Sequence, residues 1–514
     1  MAHRDDLTTF EALEEAWAAL YTAWGERVVA EHRGTGPSPV EAAAYDASRR
    51  AFAASLDRVA VPDGDSVAAA GLATIRAALP TLDEYVPVAG IDSPIDGGAD
   101  PELAAFAAAT LEAYGEAASA IRIGEETIDR LTAFGRLATT PDDGERRAIF
   151  EAMAPVWRAI AGDGADTTPY RRIVAGSAAR WARDGSVIDA NAAVLGIEPG
   201  RLEPMLESIL RAGRRLLETV TDGTPIEPWD YRFVIGAAER ALGPLVPLDR
   251  LQAINDAHLR ALGADPLALG IRYDVAPRPG RPVIPLAFTV GVGIPAVPWI
   301  FATYREGGLG NLAELLHESG HAIHMAAIRT RPCFAEAPAD HAAFFEAIAD
   351  VIGWDTGEPA FQRQHLGAAV DHEVARLDRY GHVLLDVCWA LFEIALHRDP
   401  TLRPNDVWTR ITHDGLGIVA HPEWSWWAVR GQLVEAPGYL ANYALSAIAA
   451  AAIRARLRSI RGDWSTGDPG WYPYVAKRLL RSGAERAPGE LLERFLGRPL
   501  TADALLADLA GSVA

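Results

Sequence analysis

A short run of the chain carries side chains that can do chemistry together. The stretch LLHESGHAIH at 315–324 sets His317 and His321 four residues apart, with Glu318 beside the first. On an α-helix, at about 100° per residue, the two histidines lie on one face roughly 40° apart, so both imidazoles can reach one ion. Glu318 projects to the side, where a carboxylate can touch a metal-bound water without ligating the metal. Two neutral nitrogen ligands and one general base are the physical content of an HExxH motif, and they point to zinc. His324 falls on the same face. A catalytic site keeps a position open for water, so His324 is expected to pack or support rather than ligate. The alternative is an ordinary helix whose histidines face solvent or are satisfied in the core.

A third protein ligand must come from elsewhere. The best candidate lies in ADHAAFFEAIADVIGW (339–354), a second helical pattern with Asp340 as its expected cap. Glu346 stands 29 residues after His317, which leaves room for the first helix, a turn and a return helix. Its neighbours Phe344, Phe345, Ala347 and Ile348 mark a partly enclosed carboxylate, and such a group needs a partner. Asp350 follows one turn later on the same face, placed to accept a proton from a ligating imidazole and fix its tautomer.

The elements that must position these groups are mostly helices. Asn311 followed by Glu314 fits the start of the histidine helix, after loop glycines Gly307, Gly308 and Gly310. Near the beginning of the chain Phe10, Leu13, Trp17, Leu20 and Trp24 recur at helical spacing, with Thr8 and Glu11 as a capping box. Further helices are expected around 103–120, 123–138, 144–160, 201–220 and 248–261, and a loop over 86–102. The texture changes at 271–308, where β-branched and aromatic residues between Gly and Pro favour short strands.

Composition sets the outer bounds. The chain has 514 residues, 49% hydrophobic and 23% charged, in the range of globular proteins. A net charge of −21 argues against a nucleic-acid partner, because phosphate neutralisation needs clustered Lys and Arg. Cys333 and Cys388 are too few for a disulfide framework. The longest uncharged run, 282–304, carries four prolines, so no membrane span is expected from it. With no signal-peptide pattern at the N-terminus, a cytoplasmic protein is expected.

The resemblance these segments carry is specific. HESGHAIH followed by FFEAIADV resembles the zinc-binding core of the gluzincin metallopeptidases, in particular the thimet oligopeptidase and oligoendopeptidase F family. FFEAIADV is also similar to the wording of angiotensin-converting enzyme. YDVAPRPGR (273–281) resembles the family's segment leading into the sheet, and RFLGRPLTADALLADL (494–509) resembles its chain end. The resemblance covers 273–509, about half the chain. It implies a mainly α, large two-lobed helical fold around a deep channel, with a small β-sheet before the zinc-binding helix. It implies one catalytic unit over 1–514, with a helical N-terminal half (1–265) and a zinc-binding half (266–514).

It further implies one zinc ion per chain and hydrolysis of peptide bonds in short peptides. His317, His321 and Glu346 take the ligand positions and Glu318 that of the general base. The run 282–304 would supply an edge strand for the substrate backbone. Family members carry a His about ten residues ahead of a Tyr, the pair holding the oxyanion. Here GQLVEAPGYLANYALSAIAAAAI (431–453) supplies Tyr443 as the better match and Tyr439 as the reserve. Residues 431–434 are Gly, Gln, Leu and Val, and the nearest upstream histidine is His421. Trp424, Trp426 and Trp427 either line the channel or, as expected, pack in the core.

That departure keeps two further functions open: a zinc hydrolase of the same scaffold acting on a non-peptide amide or biosynthetic intermediate, and a non-catalytic peptide-binding helical protein. A structural zinc site closes with a fourth protein ligand and needs no base, so Glu318 argues against the last. No GxSxG, phosphate-binding GxxxxGK[ST] or helix-opening GxGxxG is present, which leaves serine-hydrolase and nucleotide chemistry without a motif.

Overall fold

The periodic aromatic residues near the N-terminus do form a helix. Helix α1 (Phe10–His32) buries Phe10, Leu13, Trp17, Leu20 and Trp24 along one side. Its cap is Thr9, whose hydroxyl accepts from the Ala12 amide at 3.3 Å. The expected cap Thr8 lies outside the described residues. The structure is a computed structural model and describes residues 9–36, 38–61, 64–82, 101–162, 169–278 and 287–511. The loop expected over 86–102 falls almost wholly outside them.

The protein is mainly α-helical. Helices α2 (Pro39–Ala53) and α3 (Ser66–Ala78) follow α1, and a smaller hydrophobic cluster joins all three to Phe288, Val290, Phe301, Cys333 and Phe334. A larger cluster runs from Ala107 to Leu509 and takes in most of the remaining helices. Both cysteines are buried and free. No described helix is long and apolar enough to cross a membrane.

The segment expected as a helix over 123–138 begins instead as a hairpin, β1 (Ile121–Ile123) and β2 (Glu126–Ile128), before a helix over Arg130–Thr139. Gly124 at φ 62 makes the turn, and the β-branched IRI before it suits a strand. The short strands expected before residue 311 are present as β3 (Arg272–Asp274), β4 (Phe288–Val292) and β5 (Val297–Phe301). Their order is β3-β5-β4, with β5 parallel to β3 and antiparallel to β4, so β4 is an edge strand.

Directly after the sheet come the helices that matter for the site: α4 (Leu309–Ala327), α5 (Ala342–Gly353), α6 (His372–Arg398) and α7 (Ala441–Arg461). Helix α5 lies between α4 and α7. Asn311 does not cap α4. The helix starts two residues earlier, after Gly308 at φ 115, and the Glu239 carboxylate accepts from the Gly310 amide at 2.7 Å. A carboxylate from a distant segment therefore does the work of a local cap. Asp340 is likewise no cap of α5; it sits in a short 3₁₀ turn, and the capping position falls on His341.

Candidate active site

Two helices meet here at an unusually close approach. A Cβ on Gly320 of α4 would lie 2.6 Å from the Ala349 Cα of α5, and one on Gly353 would lie 3.2 Å from the His317 Cβ. At position 320 only glycine permits that spacing, and it brings the inward faces of both helices together.

At that junction stand His317, His321 and Glu346. The Glu346 Oε2 is 3.2 Å from His317 Nε2 and 3.9 Å from His321 Nε2, and the imidazole centroids are 4.9 Å apart at 86°. One donor atom from each of the three residues falls within 4.8 Å of the others. A tetrahedral zinc with bonds near 2.0–2.1 Å wants donors about 3.3 Å apart, so this set fits a single small cation with modest closure. Asp350, on the same face of α5 as Glu346, has Oδ1 2.9 Å from His317 Nδ1, and the Ser446 hydroxyl of α7 lies 3.4 Å from its Oδ2. If His317 Nδ1–H donates to Asp350, its Nε2 lone pair is left facing Glu346.

Glu318 is buried beside this group and outside the donor set. The Thr289 hydroxyl of β4 lies 2.7 Å from its Oε2 and 3.0 Å from its main-chain carbonyl. Burial pushes the Glu318 carboxyl up to about 7, against the opposing pull of His317 and Thr289. Glu346 goes the other way. Burial raises it, but hydrogen bonding to His317 and the nearness of both imidazoles hold it below the ordinary carboxylate range. Burial brings His321 down to about 4, the neutral form that a metal ligand needs.

The two tyrosines also reach the site. The Tyr439 hydroxyl is 3.4 Å from Glu346 Oε1, and Tyr443 stands edge-on to Tyr439 with centroids 5.7 Å apart. Gln432 stands beside Tyr443, and burial raises the Tyr443 phenol above its usual range. The Arg430 guanidinium lies 5.3 Å from the centre of the Tyr443 ring and is ion-paired to Asp386. Tyr439, Tyr443, Gln432, Arg430 and the three donors line one cavity of about 1180 Å³, together with Phe288, Thr289 and Ala296 from the edge strand and the turn after it.

His324 is 1% exposed and stacks on Phe345 at 4.4 Å, a packing residue. His421 binds Glu227 and Glu423 and stacks on Trp424, away from the cavity. Trp426 and Trp427 are in the core, and Trp424 packs against it. Among the cavity residues that sequence reasoning missed are Arg130, Arg232, His382 and Arg430. They come from distant segments and share no spacing. The one local signal is a lone charge set among apolar residues, as at Arg430 in WWAVRG.

A helical frame thus brings two imidazoles and a carboxylate that could hold a metal ion, with a separate buried glutamate, to one cavity. No family model matches the chain, and no curated protein matches it in sequence. Solved structures do. An M32 carboxypeptidase from Deinococcus radiodurans R1 superimposes with a TM-score of 0.64 at 15% identity, over 98% of this chain and 98% of that one. Metallocarboxypeptidase 1 of Trypanosoma cruzi gives 0.59 at 15% identity, over 96% and 97%. PZ peptidase A, solved with an inhibitor, gives 0.60 at 14% identity, over 100% and 97%. At these identities the likeness is one of fold, and it extends along the whole chain.

Proposed function

We propose that this protein is a zinc-dependent peptidase that hydrolyses short peptides, with His317, His321 and Glu346 as metal ligands and Glu318 as general base. The observation that carries this is the convergence of the three donor atoms within 4.8 Å while Glu318 stays buried beside them and outside the set. Neighbours described as a carboxypeptidase and as a metallocarboxypeptidase support the same class. The HESGHAIH and FFEAIADV segments support a place near the thimet oligopeptidase and oligoendopeptidase F family. Residues of both 1–265 and 266–514 line the cavity, which supports one catalytic unit over the chain.

A zinc ion bound there would supply Lewis-acid polarisation of the scissile carbonyl and a more acidic water. Glu318, held by Thr289, takes a proton from the attacking water and returns it to the leaving amine. Such general acid–base help is worth about 10² to 10⁴ in rate. Tyr443 donates its phenol proton in a hydrogen bond to the oxyanion, a contribution of about 3 to 4 kcal/mol. Asp350 orients His317, and the edge strand β4 offers main-chain groups to an extended peptide. The testing experiment is Glu318→Gln: zinc content stays at the native level and turnover of a short-peptide mixture falls by about 10² or more. Native turnover in that variant overturns the mechanism.

Gln432 favours a second reading. It occupies the position, ahead of Tyr443, where the resemblance calls for a histidine, so the oxyanion region is altered. A zinc hydrolase acting on another amide fits that change, and a zinc-loaded protein that cleaves no short peptide supports it.

A further inference from the structure

The cavity holds a second charged group, opposite in sign to the first. The Arg232 guanidinium lines it, stacked on the Phe134 ring at 3.6 Å, and among the described residues that side chain has no ion pair and no hydrogen bond. Arg130 packs on the same ring at 5.3 Å, also without an ion pair among the described residues. Burial lowers Arg232 to about 9, and Arg430 and Arg130 add to the shift. Burial with Arg232 and Arg430 brings His382 down to about 3, so this histidine is neutral and offers no counter-charge. Asp386, a carboxylate that acts on Arg232, is itself bonded to Arg430.

A half-buried cation that lines a cavity with no ion pair among the described residues points to a ligand that supplies the anion. Phe134 covers one face of the guanidinium and leaves the donor edge for a planar, two-oxygen acceptor. Arg430 ties the cluster to the catalytic side, because it also packs on Tyr443.

We infer that Arg232, with Arg130 beside it, binds a carboxylate of the substrate, so that the enzyme selects peptides carrying a carboxylate on the Tyr443 side of the scissile bond. This inference rests on the peptidase reading. A C-terminal carboxylate and an aspartate or glutamate side chain present the same chemistry to this subsite.

The test is a binding measurement on zinc-loaded Glu318→Gln protein, with short peptide mixtures made as free acids, as C-terminal amides, and as amides containing one glutamate. Free acids are expected to bind about tenfold more tightly than plain amides if the C-terminus is the ligand. The glutamate-containing amides regain that affinity if the side chain is. Adding Arg232→Gln levels the sets, and Arg232→Lys, which keeps the charge, restores part of the difference. Equal affinity for all sets, or discrimination that survives Arg232→Gln in a folded protein, overturns the inference. Cleavage by protein with Glu318 intact is measured in parallel. Discrimination without cleavage removes the peptidase reading and leaves the carboxylate subsite; cleavage without discrimination does the reverse.

Discussion

Glu318 and Glu346 are the same residue type within reach of the same imidazoles, and their surroundings push them apart. Hydrogen bonding and two imidazoles keep Glu346 ionised, while burial brings Glu318 up to about 7. Divergent environments of this kind separate a ligand from a base. A base must be ionised to act, so kcat/KM is expected to fall as pH drops through and below about 7, a bound cation drawing that limb lower. Thr289→Val removes a hydrogen bond that favours the charged carboxylate and should move the acid limb to higher pH; a pH–rate profile that does not move would exclude Thr289 from this role. Asp350→Asn should weaken zinc affinity by about 10- to 100-fold in competition with a chelator, since the imidazole loses the negative charge of its orienting acceptor.

Among elements, the contact between α4 and α5 decides whether the donors meet. Gly320→Ala would set a methyl 2.6 Å from the Ala349 Cα and 2.9 Å from its carbonyl oxygen, so the helices must move apart. The expected outcome is a loss of about 1–3 kcal/mol in thermal or denaturant unfolding together with weaker zinc binding. Unchanged zinc affinity would show that the close approach does not set the site. Much of this element-level geometry is legible in sequence. His317 and His321 share a face by helical periodicity, and the spacing to Glu346 allows a return helix. The caps are not legible. Glu239, 71 residues before Gly310, supplies what Asn311 was expected to supply, because an end amide can donate to any carboxylate that tertiary structure brings near. The Arg130, Arg232, His382 and Arg430 cluster is hidden for the same reason: each residue comes from a different segment.

At the scale of the molecule, a buried ionic network ties the back of the site together. Arg454 of α7 bonds Asp355 at 2.7 Å and Glu358 at 2.5 Å, Arg379 of α6 bonds Glu358 at 2.8 Å, and Arg458 bonds the same carboxylate. Burial opposes ionisation of Glu358, but Arg379, Arg454 and Arg458 outweigh it and pull the carboxyl down to about 2. A carboxyl depressed in the folded state stabilises the fold above its unfolded value near 4.5, and that stability is lost as pH falls from there toward 2. The contribution is of order 3 kcal/mol. Denaturant unfolding across that range should therefore show a steep loss for the native protein and a flatter one for Glu358→Gln. Equal slopes would remove Glu358 from the account. Helical composition and the sheet before residue 311 are readable from the sequence, whereas this network joins α6, α7 and the turn after α5 and has no local signature.

The central claim is that one zinc ion sits between two imidazoles of α4 and one carboxylate of α5. The most direct measurement is anomalous diffraction at the zinc edge from crystals of the zinc-loaded protein. The account predicts one peak per chain, within bonding distance of His317 Nε2, His321 Nε2 and the Glu346 carboxylate. A crystal of zinc-loaded protein with no peak there, or with its zinc held by other residues, would contradict it.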